Sequence, residues 1–252
     1  MTVERIALIT GGAQGIGAEV ARVLAKDGLT AAVADLDAAK ASRLVESLGP
    51  KHGAFAVDVS DEASVVRLFD EIERKLGKVS VLVHCAGMRI VNSDGSRQAT
   101  AETSLDEWNR TMAVNVTGGF LTAREFIRRL PADVEHGRIV TVSSIAGQVG
   151  GIQSGVSYTT SKAAILGLTK SLARELAPRR ITVNCVAPGM IDTAMLRQTN
   201  DPKNDEHFAQ TIPLRYIGMP NDVAATVSFL VSPGGRYMTG ATLDVNGGLR
   251  MQ

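Results

Sequence analysis

The stretch RIALITGGAQGIG, residues 5–17, decides the fold. Arg5 to Thr10 make an apolar, strand-like run, and Ile16, Val20, Val23 and Leu24 then recur at helical spacing up to Gly28. Gly11, Gly12, Gly15 and Gly17 fill the joint between the two. Glycines there let the backbone around Gln14 and Ile16 approach a ligand closely, and the helix N-terminus that follows faces negative charge. A pyrophosphate is the ligand such a joint suits. A glycine turn alone is weak evidence for one, so the neighbouring residues have to decide.

The next strand, Thr30 to Asp35, ends on a carboxylate about twenty residues beyond the glycines, where it can accept hydrogen bonds from an unphosphorylated adenosine ribose. That charge repels a 2′-phosphate, and Gln14 and Leu36 bring no compensating cation. The reading is NAD rather than NADP. The alternative for Asp35 is a cap on the helix that begins at Ala38.

Further along, short β-branched runs alternate with segments of helical period, the pattern of a parallel sheet covered by helices. Strands are expected at Ala54–Val59, Val79–Cys85, Arg138–Ser143, Ile181–Ala187 and Thr242–Val245. Helices are expected at Ala38–Leu48, from a cap at Ser60 or Asp61 to Gly77, from Ser104 to Pro131 as one long helix, and at Val156–Ala177 and Asn221–Val231. The fold class is α/β: a single-domain, Rossmann-like doubly wound sheet of seven mainly parallel strands over residues 1–252. Residues 189–220 break the apolar rhythm and read as a lid, with Asn200-Asp201-Pro202 an exposed turn. Gly11 to Gly17, Asp35, Asp58, Ala86-Gly87, Ser143-Ser144 and Pro188-Gly189 all follow or end strands. In a parallel sheet they share the carboxyl edge, where doubly wound folds bind ligands.

A second stretch, SSIAGQVGGIQSGVSYTTSK at residues 143–162, carries the chemistry. Tyr158 and Lys162 stand four residues apart at the start of a helix and leave the same face. A phenol is a weak base near neutral pH, but an ammonium beside it stabilises the phenolate, so such a pair can exchange protons. Ser143 or Ser144 can hydrogen-bond a substrate oxygen lying between serine and tyrosine. On spacing alone, Tyr158 and Lys162 are equally a pair on a helix surface.

Composition narrows the partner. The 252 residues are 44% hydrophobic and 21% charged with a net charge of +1, a globular balance without the basic footprint that nucleic acid or an acidic membrane requires. A small molecule is the expected partner. Met1 to Arg5 lack the features of a signal peptide, and no apolar run is long enough to span a bilayer, so a cytoplasmic protein is expected. Cys85 and Cys185 read as reduced, buried thiols. The histidines, His52, His84, His136 and His207, lack the spacing of a metal site, and no metal is expected.

Taken together, Thr10-Gly11-x-x-x-Gly15-x-Gly17, Asn115, Ser144, Tyr158-x-x-x-Lys162 and Pro188-Gly189 resemble the short-chain dehydrogenase/reductase family in order and position over essentially the whole chain. The resemblance implies that Tyr158 is the general acid/base, that Ser144 holds the substrate oxygen, and that Lys162 binds the nicotinamide ribose while stabilising the phenolate. Asn115 would anchor a water in the proton relay. Ser144 is chosen over Ser143 because Ile145-Ala146-Gly147 follow it as in the family. Asp58 and Val59 match adenine contacts, and Ile191 and Thr193 match contacts to the nicotinamide carboxamide. One departure stands out: His84-Cys85-Ala86-Gly87 replaces the usual Asn-Asn-Ala-Gly. Ala86 and Gly87 preserve the close approach to the cofactor, and His84 is read as structural.

The implied activity is NAD(H)-dependent interconversion of a secondary alcohol, such as a polyol or sugar acid, and its ketone. A 3-oxoacyl thioester reductase is the nearest alternative, and a non-catalytic NAD-binding sensor or scaffold the alternative from another class. Met88 to Thr103, Gln148 to Gly155 and Met190 to Tyr216 are expected to wall the substrate pocket. Among them, Arg89, Gln148, Gln153 and Arg197 are polar candidates, and Met88, Ile152, Met190 and Leu196 apolar ones. Arg89 reads as a carboxylate or sugar-hydroxyl ligand or, in preference, as a solvated surface residue. The family resemblance also implies a homotetramer.

Overall fold

Alternation along β1 (Ile6–Thr10) sets the layering. Ile6 and Leu8 enter one apolar cluster and Ala7 and Ile9 the other, because successive strand residues point to opposite faces of a sheet. The computed structural model describes residues 5–131, 137–151 and 153–251. His136 and Ile152 therefore lie outside the described residues.

Six further strands complete the sheet: β2 (Thr30–Asp35), β3 (Gly53–Ala56), β4 (Val79–His84), β5 (Arg138–Val142), β6 (Thr182–Pro188) and β7 (Thr242–Val245). All pair in parallel, in the order β3-β2-β1-β4-β5-β6-β7. The chain winds outward from β1 in one direction and resumes at β4 in the other, which opens a crevice between β1 and β4 at their carboxyl ends.

Helices α1 (Gly15–Lys26), α2 (Ala38–Leu48) and the later α10 (Pro220–Val231) cover one face with Val20, Leu44 and Val227. On the other face α3 (Glu62–Lys75), α5 (Gly118–Arg129) and α7 (Val156–Leu176) bury Phe69, Phe126 and Leu172. A sheet buried on both faces needs near-continuous apolar strands, and β1, β2 and β5 are of that kind.

Three expectations change. Strand β3 ends at Ala56 rather than Val59, because Val57 makes one last bond to the Asp35 carbonyl and the chain then turns where Asp58 Oδ1 accepts from Ser60 N and Oγ. The single helix from Ser104 to Pro131 is in fact α4 (Leu105–Met112), a π-helical turn (Ala113–Thr117) and α5. Ser104 and Glu107 close a capping box at its start. Residues 189–220, expected as an irregular lid, hold α8 (Ala194–Arg197) and α9 (Asp205–Thr211), and α6 (Ala146–Val149) lies earlier in the chain. In the turn expected at Asn200-Asp201-Pro202, Asp201 and Pro202 are exposed, but Asn200 is buried and its amide donates to Asp205 Oδ1 at 3.0 Å.

Candidate active site

The glycine joint folds as its sequence requires. Gly11 has φ +62° and Gly15 φ +54°, values that glycine adopts without strain. A Cβ on Gly17 would stand 2.1 Å from the Gly11 carbonyl oxygen, and one on Gly11 would stand 2.7 Å from Ala86 Cα. The first turn of α1 holds no acidic residue, and Gln14 at its cap makes no side-chain hydrogen bond to it. Its N–H groups have no partner inside the helix, so this N-terminus fits an anionic pyrophosphate.

Asp35 stands beside this joint. Its Oδ2 accepts from Ala13 N at 3.0 Å and its Oδ1 from Asp37 N at 3.1 Å. The helix-cap alternative falls, since α2 is capped by Asp37, whose side chain accepts from Lys40 N. One cation that sequence reading did not place here is Lys40, with Nζ 3.4 Å from Gln14 Oε1 and 3.4 Å from Asp37 Oδ2.

A cleft of about 450 Å³ runs over the joint. Gly11, Gln14, Gly15, Ile16 and Gly17 form one wall, Asp35, Leu36, Asp58 and Val59 another, and Ala86, Gly87 and Thr193 complete it. Arg110 and Val114, just before and within the π-turn, also line it and were not anticipated. A second cavity of about 470 Å³ shares Ile16, Cys85, Gly87, Thr193 and Met195 with the first, so the two adjoin. Ser144, Tyr158, Lys162, Pro188, Gly189 and Ile191 line this second part.

Its reactive groups are positioned from the backbone outward. Lys162 is buried and donates from Nζ to the Val142 carbonyl at 2.8 Å, which places the ammonium 5.7 Å from the centre of the Tyr158 ring. Gly87 makes room for that ammonium, since a Cβ there would lie 3.2 Å from Lys162 Nζ. The two serines separate cleanly. Ser143 is buried and its hydroxyl donates to the Lys162 carbonyl at 2.7 Å, whereas Ser144 Oγ accepts from Ala146 N at 3.1 Å and keeps its proton for another partner. Among the described residues the Tyr158 hydroxyl makes no hydrogen bond of its own.

Asn115 sits behind the cavities in the π-turn, buried. Its Oδ1 accepts from Met88 N at 2.8 Å, and its Nδ2 donates to Met88 O at 3.0 Å and to Ser161 Oγ at 2.9 Å. The side-chain amide thus clamps the loop after β4 to α7, with both Nδ2 hydrogens used.

His84 and Cys85 are structural in their surroundings. His84 Nδ1 lies 2.9 Å from Thr10 Oγ1 and 3.2 Å from Thr122 Oγ1, and Nε2 is buried without a partner among the described residues. Burial, with the Lys162 charge adding to it, lowers the imidazole pKa to about 3. Burial also pushes the Cys85 thiol up to about 12, so it stays protonated and inert. Both cysteines are free.

The substrate wall differs from expectation at three polar positions. Arg89 is half-buried and lines the second cavity rather than standing in solvent. Arg197 turns away from the cavity and staples the lid, donating to Asp192 Oδ1 at 2.9 Å and to both oxygens of Asp205. Gln148 points to Asp244 Oδ1 at 2.8 Å, while Gln153 does face the cavity. Phe208 and Leu249 supply further apolar wall. Nothing in the local pattern around Leu249 marks it, because its place depends on the chain returning after β7.

A parallel sheet with an anion-binding glycine joint at its crossover, opening into a cavity with a serine, a tyrosine and a lysine, defines a dinucleotide-dependent oxidoreductase. The chain belongs to the short-chain dehydrogenase/reductase family, and a family described as enoyl-(acyl carrier protein) reductase matches residues 11–250. The (3R)-3-hydroxyacyl-CoA dehydrogenase of Mus musculus is 38% identical over 257 residues, covering 98% of this chain and 96% of the relative. A 3-oxoacyl-(acyl-carrier protein) reductase from Brucella melitensis with bound NAD gives a TM-score of 0.89 at 34% identity, covering 99% of this chain and 92% of that one. A blue fluorescent protein from a metagenomic library, in complex with NADPH, also gives 0.89 at 34% identity, with complete coverage of both chains. The protein is accordingly an oxidoreductase of hydroxyl and keto groups that uses a nicotinamide cofactor.

Proposed function

We propose that the protein interconverts a secondary alcohol and its ketone with NAD(H) as the preferred cofactor, Tyr158 serving as acid/base. The observation that carries this reading is the pair of adjoining cavities, one lined by the glycine joint and Asp35 and the other by Ser144, Tyr158 and Lys162, with five residues lining both. When bound, the nicotinamide supplies a two-electron acceptor or donor for the carbinol carbon. The residues of the chain handle the oxygen and its proton. Ser144 donates a hydrogen bond to the substrate oxygen, and Tyr158 removes the hydroxyl proton in oxidation or returns it in reduction. Lys162, held by the Val142 carbonyl, keeps positive charge beside the phenol and is placed to hold the nicotinamide ribose. Asn115 fixes Met88 and Ser161 around them. In the proton relay Asn115 is the residue proposed to anchor a water.

A panel of secondary alcohols and ketones, followed by nicotinamide absorbance with NAD and NADP in parallel, tests the reading. Turnover of hydroxy or keto compounds supports it. Tight cofactor binding with no turnover of any compound sinks it in favour of a sensor. The names of the relatives support acyl thioesters as the second substrate class to include.

Asp35 supports NAD over NADP by its charge. In Asp35→Ala the ratio of kcat/KM for NADP over NAD is expected to rise about tenfold or more, as removal of one like charge beside a phosphate implies. Both cofactors should weaken in absolute terms, because the Ala13 and Asp37 amides lose their acceptor. The ratio is therefore the diagnostic quantity in steady-state kinetics, and an unchanged ratio contradicts the preference.

We also place the active protein in the cytoplasm, on its two free thiols, and as a homotetramer. Leu105 and Phe120 are exposed on α4 and α5, and Tyr237, just before β7, is 99% exposed in the single chain. Exposed apolar groups on two separate faces suit two kinds of subunit contact. Light scattering is expected to give four times the chain mass, and a monomer refutes the assembly.

A further inference from the structure

The second cavity holds a charge that hydride transfer and the proton relay do not use. Arg89 follows β4 and reaches across to the lid, where Nη2 donates to the Met195 carbonyl and to Thr199 Oγ1 at 3.2 Å. Both acceptors are neutral. The Nε of the same guanidinium is buried with no acceptor among the described residues, and burial lowers its pKa from the ordinary arginine value. Among the described residues lining this cavity Arg89 and Lys162 are the cations, and none is Asp or Glu. Lys162 has its own place beside Tyr158. A half-buried guanidinium without a counter-ion is less favourable than a paired one, and its Nη1, which makes no hydrogen bond among the described residues, is left to take an acceptor. A carboxylate arriving with the substrate supplies the counter-charge and an acceptor for Nη1 in a charge-assisted hydrogen bond.

We infer that Arg89 is a specificity-determining residue that binds the carboxylate of the substrate, so that the alcohol oxidised between Ser144 and Tyr158 is a free hydroxy acid and the ketone is a keto acid. This rests on the reaction class proposed above and adds the substrate's charge to it. The rest of the wall agrees with a short or moderately apolar carbon chain: Val149, Met190, Leu196 and Phe208 surround the same space. An ester or thioester presents no anion at that point, and it leaves the guanidinium as it stands.

The test compares matched compounds. A series of straight-chain 2- and 3-hydroxy acids is assayed with wild type and with Arg89→Gln, beside the methyl ester and the coenzyme A thioester of each acid. Glutamine carries no charge and is too short to keep both Met195 O and Thr199 Oγ1, so loss of the brace lowers acid and ester alike and cancels in their ratio, whereas loss of a carboxylate contact lowers the acid alone. Wild type is expected to prefer at least one free acid over its own ester and thioester. In Arg89→Gln the acid-to-ester ratio of kcat/KM is expected to fall about 10- to 100-fold, mostly through KM of the acid. Addition of the matching keto acid to the NADH complex should quench nicotinamide fluorescence in wild type at lower concentration than in the variant. If the ester or thioester is preferred by wild type, or if the variant lowers acid and ester alike, the carboxylate assignment is overturned and the alcohol–ketone reading stands. If no hydroxy or keto compound reacts although NADH binds, both fall.

Discussion

Tyr158→Phe is expected to lower kcat by ~10²- to 10⁴-fold, the usual worth of proton transfer by a positioned group, while leaving NAD(H) affinity and thermal stability nearly unchanged. The geometry explains why the loss should be confined to chemistry. The ring is buried at the start of α7, but its hydroxyl makes no hydrogen bond among the described residues and faces the cavity. Lys162 does not depend on that hydroxyl for its position, since Val142 O holds its Nζ. Ser143 ties the α7 backbone through the Lys162 carbonyl, so the helix should stay in place. Cofactor affinity from fluorescence titration, set beside single-turnover rates, separates the two effects. Near-normal turnover by the variant contradicts the acid/base assignment, and a large loss of cofactor affinity shows that the phenol serves binding instead.

A steep loss of stability in mild acid is expected from His84. Its imidazole titrates near pH 6.5 in an unfolded chain, and burial between Thr10, Thr122 and α5 lowers it to about 3 in the fold. Between those values the unfolded chain binds a proton that the folded chain refuses. The contribution is therefore fully present above pH 6.5 and is lost as the pH falls from there toward 3, at ~1.4 kcal/mol per pH unit. Carboxylates also contribute to acid unfolding, so the informative quantity is a difference. Urea unfolding at a series of pH values should give a slope shallower by about one proton in His84→Asn than in wild type. Asparagine is the residue the family usually places there, and it carries no titrating group. Parallel curves for the two proteins contradict a neutral, buried imidazole in the native state.

Much of this architecture is legible in local sequence. The bounds of β2, β7 and α2 follow from short apolar runs ended by turn residues, and the glycine joint declares itself through its spacing. Ser144, Tyr158 and Lys162 meet because one strand end and one helix face bring them together, both visible as patterns. Other features escape for physical reasons. The π-turn at Ala113–Thr117 inserts a residue into a helix while barely disturbing its apolar period, so one long helix is the natural reading. The lid helices span four and seven residues, too few for an amphipathic stripe to repeat. Arg89 and Arg197 have similar polar contexts in the chain. Only packing of the lid turns the first into the cavity wall and gives the second to Asp192 and Asp205, and contacts made across 106 residues, such as Arg89 to Met195, leave no local trace.

In the proposed reaction, electrons pass as hydride between a nicotinamide in the glycine-lined cleft and a carbinol carbon held at Ser144 and Tyr158. This transfer is tested most directly by supplying NADH deuterated at the transferable position of the nicotinamide together with a panel of ketones, including keto acids, and by locating deuterium in any product by mass spectrometry. One deuterium is expected on the new carbinol carbon of the product, formed by wild type and nearly absent with Tyr158→Phe. Product without the label, or no reduced product from any ketone while NADH remains bound, contradicts it.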